Sequence, residues 1–455
     1  MKSITKNKNN VRLISLKVWK LLFIKKKKLS DIFQNEQSFL YLNVKDRSFV
    51  YFLIHIAIRN SNQIKFILEK FVKKKIDKNL ISLEGILVLG TSEIIWARTP
   101  DYAVLNSYVN LTKDQCGQKY SGFINAVLQN IVREKEMLSS EKWDLKNNYP
   151  KWLISNWERS YGIKDTIDII NMFNKEPYLD LICSKKMSSK SKLKLIDFLN
   201  GIEIYPNVIR SDYKGKIKEI LYYEEGIWWI QDLGSYIHID FLISEINNHQ
   251  KFQDKKSLKI FDLCAAPGGK TFQLIDNNFQ VTSNDVNEKR LNLMIENLKR
   301  LQFNVNLLSK DGRNFKFKEK QDIIIIDAPC SSTGTIRKNP DILIRKNNVN
   351  HGKLKYIQNE LLLNSSLNLK IGGLLMYIVC SLEKEEGEDI INKFLKQNKN
   401  FKIIKFKKFN SDLTLKPNIT SEGFLRLLPN YFKKHKDQRL NGNNGFFSTI
   451  LERMF

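Results

Sequence analysis

No Cys-x-x-Cys pair occurs in this chain, and its five cysteines (Cys116, Cys183, Cys264, Cys330, Cys380) are odd in number and far apart. That excludes a zinc ribbon and leaves no disulfide framework, so a reduced, cytoplasmic protein without a bound metal is expected. No membrane span is expected either. The apolar stretch from Phe49 to Ile58 falls far short of the roughly 20 residues that cross a bilayer. The one from Val18 to Ile24 runs into Lys25-Lys26-Lys27-Lys28 with no small-residue cleavage site, which is not the pattern of a signal peptide. Neither G-x-G-x-x-G nor G-x-x-x-x-G-K-[ST] is present, which argues against a standard dinucleotide fold and a P-loop ATPase. Acidic residues are scarce too: 48 Asp and Glu face 75 Lys and Arg, a net charge of +27. A polyanionic partner follows, nucleic acid before an anionic membrane surface. The inference is tempered because Lys, Asn and Ile are abundant everywhere, as biased codon usage produces, and the lysines form no single stripe.

With 455 residues and 42% hydrophobic content, the chain is long enough for about two or three domains with real cores. Its most directive run is Asp322 to Gly334. Ile323-Ile324-Ile325-Ile326 needs burial on both faces, which suits a central strand of a parallel sheet. Ligands of open α/β sheets sit outside the carboxyl ends of the strands. Asp327-Ala328-Pro329-Cys330 therefore aims a carboxylate and a thiol at that crevice. Read alone, this makes Cys330 a candidate nucleophile, with a capping aspartate and a merely buried cysteine as the equal alternative.

Other strand-turn units share the pattern. Leu258 to Leu263 is a predicted strand, followed by the small-residue turn Cys264-Ala265-Ala266-Pro267-Gly268-Gly269-Lys270 and a helix. Such a turn lets backbone N–H groups approach a ligand. Gln280 to Asn284 ends in Asp285, where a ribose diol is commonly held. Asn304 to Ser309 leads to Asp311, placed to accept from an exocyclic amine. Gly372 to Val379 ends at Cys380. This alternation predicts a doubly wound α/β sheet with a nucleoside-type cofactor across its first three strands. Phe401 to Phe406 and Gly445 to Leu451 supply strands that can close it.

The preceding half reads differently. Helical periodicity dominates to about Glu136, with new helices opening near Asp101 and Gly122. Four regions are expected: an all-α domain over 1–136, a helical connector over 137–175, a small α/β subdomain over 176–235 and the α/β domain over 236–455. The subdomain has β-rich runs at Tyr178 to Ile182 and Gly226 to Ile230 around a Lys-rich helix from Ser188 to Leu199. Such a mixture suits RNA contact, with a solvated Lys-rich surface as the plain alternative for any one lysine. His55 is expected to line the helical core or a groove, and Cys116 and Cys183 to pack.

The runs Asp262 to Thr271, Asp327 to Gly334 and Tyr377-Ile378-Val379-Cys380-Ser381 resemble the RNA cytosine-C5 methyltransferases of the Sun/Nop2 family. Arg337 to Ile342, Gly312-Arg313, Gln231-Asp232 with Ser235, and Asn444-Gly445-Phe446-Phe447 support the resemblance. Ala103-Val104-Leu105-Asn106, Gly122 to Arg133 and Tyr149 to Leu153 extend it to a member whose all-α first domain is similar to the antitermination factor NusB. The resemblance implies a Rossmann-like class I methyltransferase sheet behind a NusB-like RNA-binding domain and the small RNA-contacting subdomain. It also implies S-adenosylmethionine as cofactor and small-subunit ribosomal RNA as partner; a monomer is expected. By the same resemblance Cys380 is the nucleophile and Cys330 assists product release. Asp327 reads the cytosine edge, and Cys264 to Lys270 with Asp285, Asp311 and Asp327 hold the cofactor. Lys270 would add positive potential. Three positions depart from the family: Val379 for Thr, Gly387 for Asn and Asn444 for Asp. Methylation of tRNA or large-subunit rRNA, and a non-catalytic ribosome-assembly factor, are the competing readings.

Overall fold

Ile323, Ile324, Ile325 and Ile326 are all fully buried, alternate residues joining the apolar layers on opposite faces of one sheet. Each such side chain stabilises the fold by about 1.5–3 kcal/mol. The computed structural model describes residues 11–345 except 75 and 78, and residues 351–405, 418–430 and 436–455. Phe406, expected in a closing strand, and residues 1–10 of the expected all-α region lie outside that set.

The chain divides into two compact units, one of residues 1–156 with 339–348, the other of 157–338 with 349–455. The first is helical. Val11–Phe23, Val44–Arg59, Ser61–Phe71, Ile81–Trp96, Asp101–Gln115 and Ser121–Arg133 are its longer helices. They bury Trp19, Leu53, Ile54, Ile86, Leu87, Tyr108 and Leu128 in one core. Gly85 permits the closest approach, since a Cβ there would lie 2.6 Å from a Leu16 methyl. Its buried Glu93 is matched by Arg12, at 3.0 Å from Nε, and by the Tyr108 hydroxyl at 3.0 Å. The short Ile342–Arg345 helix belongs to this unit. Ile344 joins its core, and Asp341 accepts from the Leu29 backbone N–H at 3.2 Å. His55 is buried and stacks on Tyr51, as expected of core lining.

In the second unit, β1 (Leu179–Cys183), β2 (Ile202–Tyr205), β3 (Val208–Ser211) and β4 (Trp228–Ile230) form an antiparallel sheet in the order β2-β3-β1-β4. The Ser189–Phe198 helix packs on it through Leu195. The β2–β3 hairpin was not anticipated, although Pro206-Asn207 between β-branched runs is its signal and Asn207 takes the left-handed conformation there (φ 64°). Cys183 is buried in this subdomain's core, where burial pushes its thiol up to about 12. Cys116 is half-buried in the helical unit.

The main sheet comprises β5 (Ile260–Leu263), β6 (Val281–Asn284), β7 (Asn306–Leu308), β8 (Gln321–Asp327), β9 (Leu369–Val379), β10 (Phe401–Ile403), β11 (Asn418–Ile419), β12 (Leu425–Leu427) and β13 (Phe446–Arg453). Its order is β11-β12-β13-β9-β8-β5-β6-β7, with β10 also on β13. From β9 to β7 the neighbours are parallel, and β13 is antiparallel to β9. The five parallel strands fall where the alternation placed them, β5, β6 and β7 shorter by one to three residues and β8 and β9 beginning one and three residues earlier. The short β11–β12 pair was not foreseen. Helices cover both faces, Leu233–Asn248, Gly269–Asp276 and Glu288–Leu301 on one, His351–Leu367 and Glu388–Gln397 on the other. The chain leaves β5 toward β6 and β7, then returns to β8 on its other side. That reversal opens the crevice at the carboxyl ends of β5 and β8. The class I methyltransferase architecture is therefore present behind a helical domain.

Candidate active site

The turns after β5, β8 and β9 meet at this crevice. Cys330 and Cys380, fifty positions apart, bring their sulfurs to 3.5 Å. β8 and β9 are parallel neighbours, with Asp327 opposite Ile378, so both turns leave the sheet side by side. The Ala328 N–H donates to the Ile378 carbonyl at 2.9 Å and the Gly334 N–H to the Cys380 carbonyl at 3.1 Å. The loop carrying Cys330 is thus laced to the strand end carrying Cys380.

The two thiols are unequal. A hydrogen bond from Cys330 lowers the Cys380 thiol; burial and the Asp327 charge oppose it, while Ser332 and Lys270 reinforce it. Cys330 is pushed well above the usual thiol range by its bond to Cys380, then by burial, the Cys380 charge and Glu386. The electrostatics around the pair thus draw the Cys380 thiol down and push the Cys330 thiol up, while either sulfur could donate in the contact itself.

Lys270 Nζ donates to Asp327 Oδ2 at 2.7 Å, and the lysine is buried. Burial alone would lower its ammonium; Asp327, with Asp262 and Cys380, outweighs that and raises it. Lys270 is therefore a charged member of the site. Asp327 has both a cationic partner and a quarter of its side chain exposed to the crevice.

The Cys264 to Lys270 turn is built for close approach. Gly268 has φ +109°, and a Cβ on it would lie 2.3 Å from the Phe272 ring. Asp285 closes the turn, accepting from the Ala266 N–H at 3.1 Å and from the Asn287 N–H at 2.8 Å. The Ala265 N–H donates to the Asn284 carbonyl at 2.9 Å. Asp311 stands differently: its carboxylate is held by Arg313 of its own loop, with Nε at 3.0 Å. Of the anticipated residues, Cys330 bonds Cys380, Lys270 bonds Asp327 with both charges acting on Cys380, and Ala266 of the turn bonds Asp285, whereas Asp311 pairs locally.

Two buried carboxylates escaped the reading from sequence. Asp262 is fully buried at the end of β5; it accepts from the Thr271 hydroxyl at 2.6 Å, and its Oδ1 has no partner among the described residues. Burial pushes it up to about 7. Glu386 is also fully buried and accepts from the Ser331 N–H at 2.9 and 3.1 Å. It stands within Glu385-Glu386-Gly387-Glu388, which reads as an exposed charged run, so no local signal marks it. Val379 packs in an apolar layer with Tyr377 and Phe447, so the missing hydroxyl leaves no polar gap there. Gly387 lies where a Cβ would be 2.8 Å from Phe447 and 2.9 Å from Arg426 Nη2. Asn444 is buried with Oδ1 unpartnered among the described residues.

Among the described residues no His, Cys, Asp and Glu cluster could hold a metal ion, and no helix is long and apolar enough to cross a membrane.

The sheet, its crevice and the turn at its first strand define a Rossmann-like methyltransferase fold. Residues 250–447 match the family model of the 16S rRNA methyltransferases RsmB/F, and residues 10–133 match that of the NusB family. The α/β half is thus similar to the RsmB/F methyltransferases and the helical half to the NusB family. Curated relatives agree. The chain is 27% identical over 402 residues to the ribosomal RNA small subunit methyltransferase B of Klebsiella pneumoniae strain 342, covering 86% of this chain and 90% of that one. It is 29% identical over 365 residues to the protein of that name from Citrobacter koseri, covering 78% and 83%. Among solved structures, that of PH0851 is similar over 98% of each chain (TM-score 0.72, 20% identical). That of NSun6 from Pyrococcus horikoshii with SFG covers 67% of this chain and 98% of its own (TM-score 0.55, 18% identical). At these identities the two structures speak for the fold.

Proposed function

We propose that this protein transfers a methyl group from S-adenosylmethionine to C5 of a cytosine in small-subunit ribosomal RNA. The observation that carries the reading is the unequal thiol pair at 3.5 Å beside the Lys270–Asp327 ion pair. The printed names of the curated relatives support the RNA class, and the SFG in the NSun6 structure, an analogue of S-adenosylmethionine, supports the cofactor.

The turn from Cys264 to Lys270 fits that cofactor, because it presents small residues and backbone at a helix start beside Asp285. Asp285 at the end of β6, Asp311 and Asp327 complete the set of residues that would hold it. When bound, it supplies an electrophilic methyl group on a sulfonium. The protein's own residues make cytosine able to accept it. Carbon 5 is a poor nucleophile until a thiolate adds at C6. Cys380 supplies that thiolate, forming a carbon–sulfur bond, while Asp327 hydrogen-bonds the N3/N4 edge and steadies the charge that develops. Lys270 holds Asp327 in place. Afterwards the C5 proton leaves and the C6–sulfur bond breaks, restoring the aromatic ring and the Cys380 thiolate. Cys330, in hydrogen-bond contact with the departing sulfur, serves that release as the acid/base partner. The NusB-like domain and the 176–235 subdomain are assigned RNA contact, with the base taken out of any stack it occupies.

Bisulfite sequencing of ribosomal RNA from cells with and without the protein tests the reading. One cytosine of the small-subunit RNA should lose its protection from conversion when the gene is deleted. An unchanged pattern there, or a lost mark in tRNA or large-subunit rRNA, would refute the substrate.

A further inference from the structure

Glu386 is a fully buried carboxylate with no Lys or Arg paired to it among the described residues. A buried charge is retained at a cost unless donors surround it. Its donors come from the loop around Cys330 and from the His351–Leu367 helix. The Ser331 N–H and hydroxyl both point at it, and Gln358 Nε2 donates to it at 3.3 Å. Gln358 Nε2 also donates to the Pro329 carbonyl at 2.9 Å. The peptide groups on either side of Cys330 are therefore both clamped, one directly by Glu386 and one through Gln358. Glu386 is itself anchored, its carbonyl accepting from the buried Tyr377 hydroxyl at 2.8 Å. This clamp positions Cys330 and sets a negative charge on its side of the sulfur pair.

We propose that Glu386 is a positioning residue that holds the Cys330 loop and keeps the shared proton on Cys330, leaving Cys380 as the thiolate. The inference rests on the roles given to the two cysteines in the proposed function. The groups facing Cys330 include Cys380, the Ser332 hydroxyl and backbone N–H, Tyr377 and Glu386; those facing Cys380 include Cys330, Asp327, Ser332 and Lys270. Lys270 draws negative charge to Cys380, and Glu386 repels it from Cys330. The two act in the same direction from opposite sides. A neutral residue at 386 would let the thiolate be shared between the sulfurs.

The test is alkylation of the full chain by iodoacetamide across the pH range where thiols titrate, with each cysteine followed by peptide mass spectrometry. Wild type should alkylate at Cys380 well before Cys330. E386Q, which keeps the shape and removes the charge, should lower that preference by about tenfold and bring Cys330 alkylation to lower pH. E386D, which keeps the charge, should restore the preference. A purely structural role would loosen the loop without shifting the Cys330 profile, so a folded E386Q with the wild-type preference overturns the proposal. Should E386Q not fold, Cys380→Ser reads the same charge with Glu386 in place: Cys330 must then titrate above the ordinary thiol value of about 8.5, and a value at or below it overturns the proposal. Alkylation needs neither RNA nor cofactor. A wild-type protein that alkylates as described but does not methylate cytosine would sink the functional reading and leave this one standing.

Discussion

The Cys330 and Cys380 sulfurs lie 3.5 Å apart, each on a turn that leaves one of two adjacent parallel strands. In the proposed mechanism one sulfur of the pair bonds the substrate and the other handles protons. Cys330→Ala should therefore accumulate a covalent protein–RNA adduct through Cys380, with turnover reduced by about 100-fold or more. Cys380→Ala should give neither adduct nor methylation. Denaturing gel electrophoresis with labelled RNA reads both, and an adduct in the Cys380→Ala protein would reverse the assignment.

Lys270→Met leaves Asp327 without its cation in a largely buried setting. A loss of about 2–3 kcal/mol is expected, reduced from the fully buried case because Asp327 keeps some exposure. The same change removes a charge that helps lower Cys380, so the rising limb of the methylation rate should move to higher pH. Denaturant melts and a pH–rate profile measure the two effects separately; an unmoved limb would remove Lys270 from the electrostatics of the thiol pair.

Asp262 ties stability to pH. Its carboxyl is raised from an ordinary 3.8 to about 7 by burial, so the folded state holds its proton more firmly than the unfolded one. The stability this contributes is complete below 3.8 and is lost as pH rises toward about 7. Asp262→Asn should flatten the stability profile across that window. Urea melts at a series of pH values would show it, and an unaltered slope would place the titration elsewhere.

Gly387→Asn installs the residue usual in the family, yet it should destabilise this chain by about 1–3 kcal/mol through overpacking. The added Cβ would press on Phe447 and Arg426. A thermal melt at or above that of wild type would show that the neighbours give way. Gly268→Ala should be worse for ligand binding, because φ +109° and the Phe272 ring both oppose a side chain. Calorimetric titration with S-adenosylhomocysteine is expected to show at least about tenfold weaker binding in that variant.

Much of the fold was legible because its signals are local. Four isoleucines in succession require a strand buried on both faces, and small residues after Leu263 require a tight turn before a helix. The hairpin of β2 and β3 was passed over because its strands are short and its turn is marked only by Pro206-Asn207. The β11–β12 pair offers even less, being two and three residues long.

The sequence by itself determined the order of strands and turns, and hence which carboxylates and thiols reach the crevice. It also determined the resemblance that ranks Cys380 over Cys330. Only the tertiary structure decided that the two sulfurs touch, that Lys270 closes on Asp327 and Arg313 on Asp311, and that Glu386 lies under the Cys330 loop. The reason is physical. Strand and turn propensities act over a few neighbouring residues, whereas proton affinity depends on burial and on charges brought close from positions far apart in the chain. An acid inside a run of acids reads as solvated until packing removes the water around it.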